Sequence, residues 1–335
     1  MAEGARPDTV RLQRLARAYR ESGALLAAVE LGLFTEIARG ADTEEKLAAA
    51  LGLEPPNGER IIVACLGLGL IHREGERLVN APDVERFLVA DSRHYAASWM
   101  FFTKPDWNEW GRLAEHLRRA GPPLEENASV SGITVEEARR YHEATRAVGA
   151  GAGRLFARTT DLSGKTRMMD IGGGSGAYCI AACQANPELR AAVLDLPVVC
   201  EVARGYIDEA GLSDRIEAVP CDFNQDDFPT DCDLAVMASN LPMYGRWQIA
   251  WVVKKTHDAL LPGGEFHLIG EALAPDRSGP ADPALWGLAQ TLHASTGLAH
   301  SSDEVAGYFE AAGFLDIAVE DFLPGILVRV SGSKG

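Results

Sequence analysis

Apolar residues recur at helical spacing through the first third of the chain. Between residues 10 and 40 they fall three and four positions apart, which predicts helix over this stretch. The acidic run that starts at Asp42 is typical of a helix start, and Gly52 is typical of a helix end. Pro55 and Pro56 indicate a break, and a second helix is predicted over 59–70.

Two short runs of strand-forming residues follow this second helix. Residues 70–73 and 77–79 flank the turn Glu74-Gly75-Glu76, which predicts a β-hairpin. The order helix, helix, hairpin is typical of a winged helix. The first domain is therefore predicted to be mostly helical and to extend over residues 1–105.

The pattern changes beyond the long helix predicted over 136–159. From Arg167 onwards, short apolar runs are separated by helical stretches; the runs are MMDIG, AAVLDL, IEAVPCDF, CDLAVMAS and EFHLIGEA. This alternation predicts a parallel sheet with crossover helices, which is an α/β domain. We assign residues 161–335 to it and residues 106–160 to a helical connecting segment.

Composition narrows the classes of partner. The 335 residues carry a formal net charge of −16, with 47% apolar residues, as in an ordinary globular protein. This charge opposes binding to a nucleic-acid backbone or an anionic membrane, and the helix that would enter a DNA groove has Arg60 as its one basic residue. No secretory signal and no apolar run of membrane-spanning length is evident. A cytoplasmic protein without nucleic-acid or membrane partners is expected.

Cysteine spacing gives little sign of a metal or disulfide framework. None of the six cysteines forms a Cys-x-x-Cys pair. Cys179 and Cys183 would share one helix face, where burial is favoured over metal binding. We therefore predict reduced thiols and no metal site.

The strongest chemical signal is the run Met168 to Gly176, in which an apolar strand ends in Asp170 and enters a glycine-rich turn before a helix. Glycines allow a sharp turn and a close approach of a ligand to the backbone. The GxGxxG spacing of dinucleotide sites is met only loosely by Gly172, Gly174 and Ala177. Asp170 would repel a phosphate, so a ligand with a cationic ammonium group fits better.

The next two strands end in acids as well. Asp195 follows the second strand, where it could accept hydrogen bonds from ribose hydroxyls or, alternatively, cap the following helix. Asp222 and Phe223 follow the third strand, where the acid could hold an adenine amino group and the ring could cover the base. Phe223 could equally be a core residue.

These pieces resemble the small-molecule O-methyltransferases of plant and bacterial secondary metabolism, which carry a winged-helix dimerisation domain. The matching segments are LAAVELGLFTEIA, DIGGGSGAYCIA, AVLDLPVV, CDFNQDDFP, DALLPGGEFHLIGEAL and AAGFLDIAV, in the family's order over residues 10–330. The resemblance implies a Rossmann-like methyltransferase domain, a homodimer, S-adenosylmethionine (SAM) as cofactor and a small-molecule acceptor.

The resemblance also implies roles for individual residues. Asp170 and the glycines up to Gly174 would line the amino-acid end of SAM, Asp195 with Leu196 would hold the ribose, and Asp222 with Phe223 would hold the adenine. Ser239 and Asn240 would abut the sulfonium. Further contacts are expected from the long helix, around Tyr141–Thr145.

One feature of the family is absent from this chain. Members usually have a catalytic His about twenty residues before a Pro-Gly-Gly turn, which is Pro262-Gly263-Gly264 here. Pro242 stands at or near that place. The acceptor could therefore need no His, as for a carbon ortho to a phenol, another residue could act as base, or the protein could bind SAM without methyl transfer.

Tyr244 and His293 are the candidate catalytic replacements. His293 lies in a helical stretch that lines the acceptor pocket in the family, where a purely structural role is equally open. His142, Trp286, Arg246 and Met243 are the candidate substrate contacts, with packing or solvated-surface roles as alternatives. We predict a methyltransferase acting on oxygen or carbon of an aromatic or keto-acid-like metabolite. The alternatives are non-methylating chemistry, such as hydroxylation or a pericyclic reaction, and a non-catalytic SAM-binding regulator.

Overall fold

The computed structural model describes residues 7–101, 104–118, 132–293 and 295–335. The chain divides into two compact units, one ending at Lys104 and the other beginning at Pro105. The second unit therefore includes the connecting segment that the sequence analysis set apart. Each unit has its own apolar core.

The first unit is mostly helical and contains one small hairpin. Its elements are α1 Val10–Arg17, α2 Tyr19–Glu30, α3 Leu33–Ala38, α4 Glu44–Ala50, α5 Pro55–Gly67, β1 Ile71–Glu74, β2 Arg77–Asn80, α6 Pro82–Phe87 and α7 Ala97–Phe101. The strands pair antiparallel, with Ile71 opposite Asn80. The order α4, α5, hairpin is the predicted winged-helix order.

Two predictions for this unit need correction. The helix predicted over 10–40 is interrupted, because Gly32 adopts a φ of 73° and the chain turns there before α3 begins. The helix predicted to start at residue 59 begins at Pro55. Proline is compatible with the first turn of a helix, where its missing N–H would have no partner, so Pro55 and Pro56 start α5 and do not break the chain.

The second unit alternates helices and strands. Its helices are α8 Trp107–Trp110, α9 Leu113–Arg118, α10 Val135–Thr159, α11 Ala177–Ala185, α12 Pro197–Glu209, α13 Arg246–Ala259, α14 Ala281–Ala289 and α15 Ser302–Ala312. Its strands are β3 Arg167–Ile171, β4 Arg190–Asp195, β5 Ile216–Pro220, β6 Leu234–Ala238, β7 Glu265–Gly270, β8 Leu315–Leu323 and β9 Leu327–Ser333. Single 3-10 turns occupy Leu241–Met243 and Gln290–His293.

The seven strands form one sheet in the order β5-β4-β3-β6-β7-β9-β8. The first five of these are parallel, as predicted, whereas β9 pairs antiparallel with both β7 and β8. The antiparallel pair was not predicted, because most of β8 is exposed and lacks the apolar run of a buried strand. The chain leaves β3 towards β4 on one side and later returns to β6 on the other, so a crevice is expected between β3 and β6.

Buried apolar side chains cover both faces of the sheet. All six cysteines are free and buried: Cys65 lies in the core of the first unit, and Cys179, Cys183, Cys221 and Cys232 lie among the side chains that cover the sheet. Burial raises the pKa of the Cys183 thiol to about 11, so it stays protonated and unreactive at neutral pH. No helix among the described residues is long and apolar enough to cross a bilayer.

Helix α10 packs closely against the start of α11. A Cβ at Gly153 would lie 2.5 Å from the carbonyl oxygen of Ala177, whereas a Cβ at Gly151 would meet nothing within 4 Å. Glycine at 153 thus allows α10 to approach the helix that follows the glycine-rich turn. At the start of α10, Thr134 and Glu137 form a capping box in its first turn.

This contact predicts a stability difference between two neighbouring glycines. We expect Gly153→Ala to lower the free energy of unfolding by about 1–3 kcal/mol, because the methyl group must displace backbone atoms of α11. Gly151→Ala, in the same helix, should be neutral or stabilising by up to about 1 kcal/mol, because alanine favours helix. Urea denaturation of both variants measures this. Equal stabilities would rule out the close approach.

Candidate active site

The carboxyl ends of β3, β4, β6 and β7 carry a glycine or a polar residue at one edge of the sheet. Gly172 follows β3, Asp195 ends β4, Ser239 follows β6 and Glu271 follows β7. Parallel strands place these ends side by side, on both sides of the β3–β6 crevice. The candidate site is therefore built from segments that are far apart in sequence.

The turn after β3 depends on glycine at alternate positions. Gly172, Gly174 and Gly176 have φ angles of 64°, 56° and 74°. A side chain is strained in that region of backbone conformation, so the sequence needs glycine there. A Cβ at Gly172 would also lie 2.8 Å from Nδ2 of Asn240 and 3.2 Å from Cε1 of Phe223. The turn is thus in close contact with the segments after β5 and β6.

Asp195 fixes this turn from the side of β4. Its Oδ2 accepts a hydrogen bond from the Gly174 N–H at 2.8 Å, and its Oδ1 accepts one from the Leu196 N–H at 2.7 Å. Burial raises the pKa of the carboxyl to about 6, against the effect of these two hydrogen bonds. The carboxylate keeps further lone pairs that could accept from a ligand hydroxyl.

Asp170 lies behind the same turn. Its side chain is buried, and a Cβ at Gly173 would be 2.6 Å from its carboxyl carbon. Burial, with a smaller contribution from Asp195, raises the pKa of Asp170 to about 7. The structure therefore places the Asp170 carboxyl group in close contact with the backbone of Gly173 in the turn.

Phe223 and Tyr244 form an aromatic pair next to the glycine turn. Phe223 is buried, and its ring centroid lies 5.1 Å from that of Tyr244 in an edge-to-face arrangement. The Asp222 carboxylate accepts from the Asn224 N–H at 3.0 Å and from the Gln225 side chain at 2.9 Å. The ring of Phe223 next to Gly172 gives the crevice an apolar wall.

The segment after β6 is held close to the glycine turn. Ser239 has a φ of 60°, and its N–H donates to the Ile269 carbonyl at 2.9 Å. Nδ2 of Asn240 lies 3.0 Å from the Ala238 carbonyl and 3.3 Å from the Gly172 carbonyl. Asn240 thus joins the ends of β3 and β6 across the crevice.

His142 on α10 reaches the glycine turn. A Cβ at Gly174 would lie 2.7 Å from Cε1 of its ring. Burial lowers the pKa of His142 to about 4, so the imidazole is neutral at neutral pH. The structure therefore places this predicted substrate contact against the turn assigned to the cofactor. Tyr141 packs edge-to-face on the His142 ring, at 5.0 Å between centroids.

Glu271 is a site residue that the sequence analysis did not single out. It directly follows β7, beside the Ser239 segment, and its Oε2 is buried without a hydrogen-bond partner. Burial raises the pKa of this carboxyl. Its negative charge acts on Tyr141 and Tyr178, whose pKa values are raised chiefly by burial. An acid at the end of an apolar strand was the available signal in the sequence.

The two candidate catalytic residues lie in different environments. Tyr244 is 4% exposed, and burial raises the pKa of its hydroxyl far from neutrality, which disfavours its ionisation. His293 ends the 3-10 turn Gln290–His293, with its ring partly exposed and Nε2 3.6 Å from Oδ2 of Asp106. His293 has the better access to solvent and a carboxylate to orient it.

The remaining candidates differ in how free their polar groups are. Arg246 pairs with Glu304 at 2.8 Å, so its charge is already partly neutralised. The Met243 carbonyl accepts from the Ser295 hydroxyl at 3.2 Å. The indole N–H of Trp286 is buried without a partner.

The described residues contain no group of three or more potential metal ligands of the His, Cys, Asp and Glu type.

Comparison with known proteins identifies the chain. A model of the O-methyltransferase domain matches residues 132–315, and a model of the O-methyltransferase dimerisation domain matches residues 13–91. The chain belongs to the O-methyltransferase family. It is a methyltransferase, and its fold is the predicted Rossmann-like domain, preceded in sequence by a mostly helical N-terminal domain.

The chain is similar to several methyltransferases of Streptomyces. The chain is 30% identical to the 3-hydroxy-5-methyl-1-naphthoate 3-O-methyltransferase of Streptomyces sahachiroi, with 96% of this chain and 94% of the relative covered. It is 28% identical to the tetracenomycin polyketide synthesis 8-O-methyl transferase TcmO of Streptomyces glaucescens, with 91% of each covered. It is 27% identical to the L-tyrosine C(3)-methyltransferase of Streptomyces lavendulae, with 78% and 74% covered.

A solved O-methyltransferase structure has the same fold. The human N-acetylserotonin methyltransferase in complex with SAM superposes with a TM-score of 0.82 at 24% identity, over 99% of this chain and 100% of that one. SAM is the cofactor of this methyltransferase family. The site fits it, because buried acids flank a glycine turn in which a Cβ at Gly172 would fill the approach. A cationic sulfur nucleoside suits that charge and that space.

Proposed function

We propose that this methyltransferase transfers the methyl group of SAM to an oxygen or carbon of a small aromatic metabolite, with Glu271 as the proton acceptor. The observation that carries the proposal is the unpartnered, buried oxygen of Glu271 at the carboxyl edge of the sheet, where β7 lies next to β6 and the Ser239 segment. An uncompensated acid at such a place is costly to stability, so a role in the site is the better account of it.

We propose that the chain's own groups orient the cofactor. Asp195 would accept from the ribose hydroxyls while it holds the Gly174 N–H, and Phe223 would cover the adenine. Asp170 would favour the cationic methionine end from behind Gly173. The neutral His142 ring, against Gly174, would face that same end.

The reaction needs positioning and removal of one proton. When bound, SAM supplies a methyl carbon made electrophilic by the sulfonium. The walls of the pocket would hold the acceptor in line with that carbon, which contributes most of the rate through orientation. Burial raises the pKa of Glu271, and a carboxylate with a raised pKa is a stronger base for a phenolic or activated carbon acid.

His293 is the second candidate base, and we propose that Asp106 orients it. Their separation of 3.6 Å is long for a hydrogen bond, so a small movement on substrate binding would complete the pair. Tyr244 is better suited to packing on Phe223 than to proton transfer, because ionisation of its buried hydroxyl is unfavourable. The role proposed for Tyr244 is therefore to shape the wall of the pocket.

The names of the relatives support an aromatic acceptor. They specify a hydroxynaphthoate, a tetracenomycin intermediate and L-tyrosine, all of which carry an aromatic ring with a hydroxyl group. Trp286 and Met243 would contact such a ring. Arg246 is held by Glu304, so recognition of an acidic acceptor would need that ion pair to open.

We further propose a homodimer formed through the dimerisation domain at residues 13–91. Exposed apolar side chains on α1 and just after it, at Val10, Leu12, Leu15 and Tyr19, offer a surface that a second copy could cover. The net charge of −16 supports a small-molecule partner and not a nucleic acid.

Calorimetry with SAM, with its demethylated product and with a panel of acceptors tests the function. Wild type should bind both nucleosides, and mass spectrometry should show the gain of one CH2 unit on a hydroxynaphthoate, a tyrosine or a related phenol. Asp195→Ala should raise the Kd for SAM by at least about 10-fold, which corresponds to about 1.4 kcal/mol. The proposed reason is that this substitution removes both the ribose acceptor and the support of the Gly174 N–H.

The matched control is Asp321→Ala, an exposed acid on the edge strand β8 at the far side of the sheet. Its affinity for SAM should equal that of wild type. Unchanged binding in Asp195→Ala would reject the ribose assignment. Binding of SAM with a product that lacks the methyl group would favour non-methylating chemistry instead.

A further inference from the structure

The loop 295–300 lies directly on the backbone that joins β6 to α13. The Ser295 hydroxyl donates to the Met243 carbonyl at 3.2 Å and also accepts from the Gly297 N–H at 3.0 Å. Further along, His300 and Tyr244 are hydrogen-bonded. The carbonyls of Met243 and Tyr244, which follow Pro242, are therefore both hydrogen-bonded to this loop. Pro242 stands at or near the place of the family's His.

His300 makes the most specific of these contacts. It is fully buried, with Nε2 2.9 Å from the Tyr244 carbonyl and Nδ1 3.2 Å from the Tyr308 hydroxyl. A carbonyl only accepts, so Nε2 carries the proton, and Nδ1 of the neutral ring accepts from Tyr308. Burial lowers the pKa of His300, which favours this neutral form.

Gly297 brings the loop into contact with the same backbone. A Cβ at this position would lie 2.6 Å from the Pro242 carbonyl oxygen and 2.7 Å from the Met243 carbonyl carbon. These are backbone atoms, which cannot rotate away as a side chain can. The 295–300 loop is also fixed to the end of β7, because the Leu273 N–H donates to the His300 carbonyl at 2.8 Å.

We propose that His300 is a positioning residue for methyl transfer, which holds the Met243–Tyr244 backbone through the Tyr244 carbonyl. This inference rests on the proposed function of the site. The held backbone carries Met243, which is proposed to contact the acceptor, and the Tyr244 ring, which packs against Phe223, so one histidine would set both walls. It does so without contact to the reacting atoms.

The structure distinguishes a role of His300 in positioning this backbone from a role in stability alone. Loss of the Nε2 donor frees one carbonyl while the core around α15 keeps its apolar packing. The acceptor would then lose its alignment more than its affinity, and misplacement of about 1 Å can lower kcat by about 100-fold. The cofactor side, held by Asp195 and Asn240, should be unaffected.

The test compares His300→Asn with His300→Gln. Glutamine can place an amide N–H near the position of Nε2, whereas asparagine is too short to reach it. With the demethylated product of SAM bound, His300→Asn should exchange backbone amide hydrogens in residues 241–247 at least about 10-fold faster than wild type. His300→Gln should stay close to wild type.

The kinetic arm uses the phenol that wild type methylates fastest, beginning with 3-hydroxy-5-methyl-1-naphthoate. His300→Asn should lower kcat about 10- to 100-fold with KM and the nucleoside Kd changed less than about 3-fold. Gly297→Ala should act in the same direction through its clash. Gly307→Ala in α15, where a Cβ meets nothing within 4 Å, is the matched control and should behave as wild type.

The proposal is overturned by unchanged hydrogen exchange in His300→Asn, or by an equal loss of kcat in His300→Gln and His300→Asn with equal loss of thermal stability. Normal turnover in His300→Asn despite faster exchange would overturn it as well. Failure of wild type to bind SAM or to methylate any acceptor defeats the proposed function separately. In that case the hydrogen-exchange comparison, made on the protein without nucleoside, still decides whether His300 holds the Tyr244 carbonyl.

Discussion

Replacing Glu271 by glutamine is expected to lower kcat by about 100- to 10,000-fold and to leave the Kd for SAM within about 2-fold of wild type. Glutamine keeps the shape of the side chain and removes its basicity. Burial already raises the pKa of this carboxyl, and its Oε2 has no hydrogen bond to lose. The variant should therefore fold normally and fail at proton removal.

The loss of kcat in Glu271→Gln will be large if no other group can take the proton from the acceptor. Tyr244 cannot ionise readily in its buried place, and Asp195 is occupied by two backbone N–H groups. His293 is the remaining group with a free path to solvent, so it could sustain part of the rate. A double variant that also carries His293→Ala should then lower kcat below that of the single variant.

The control for Glu271→Gln is Glu265→Gln, at the opposite end of the same strand. Glu265 pairs with Lys165 at 2.7 Å and lies at the amino edge of β7, away from the crevice. Its replacement should cost some stability and no turnover. Full activity in Glu271→Gln, measured at saturating SAM and acceptor, would remove Glu271 from the mechanism and leave His293 as the base to test.

Local patterns were sufficient to predict the parallel part of the sheet and its glycine turn. Four of the five apolar runs became the buried strands β3, β4, β6 and β7, because a strand buried on both faces must be continuously apolar. The fifth became β5, an edge strand that is only partly buried. Three glycines in the turn carry the positive φ angles that the sequence pattern implies. These features depend on neighbours in sequence, so a single sequence reveals them.

The contacts that join distant segments could not be predicted in the same way. His300 bonds to Tyr244, 56 positions away, and no spacing rule links the two. Glu271 differs from other acids only in that its neighbours bury it. Gly153 looks like a poor helix residue until Ala177 is placed 2.5 Å from its absent Cβ. Each role follows from tertiary packing, which a reading of local periodicity does not contain.

Replacing Gly172 by alanine is expected to raise the Kd for SAM by more than about 100-fold, or about 2.7 kcal/mol. The substitution has two effects, a backbone strain that lowers stability and a clash that lowers affinity. The φ of 64° strains any side chain, by about 1–2 kcal/mol. The new methyl group would also lie 2.8 Å from Nδ2 of Asn240 and 3.2 Å from Phe223, in the space that the ligand is proposed to approach. Calorimetric titration with SAM measures the change.

Asn240 cannot move away from the new methyl group without losing its own contacts, because its Nδ2 lies within 3.3 Å of both the Ala238 and the Gly172 carbonyls. The matched control is Gly211→Ala, which has a φ of 68° and no atom within 4 Å of the new Cβ. It carries the same backbone strain without the clash, so it should lose stability and keep its affinity for SAM. If both variants bound SAM as tightly as wild type, the glycine turn would not be the cofactor site. If both lost affinity equally, backbone strain and not the contact at Gly172 would be responsible.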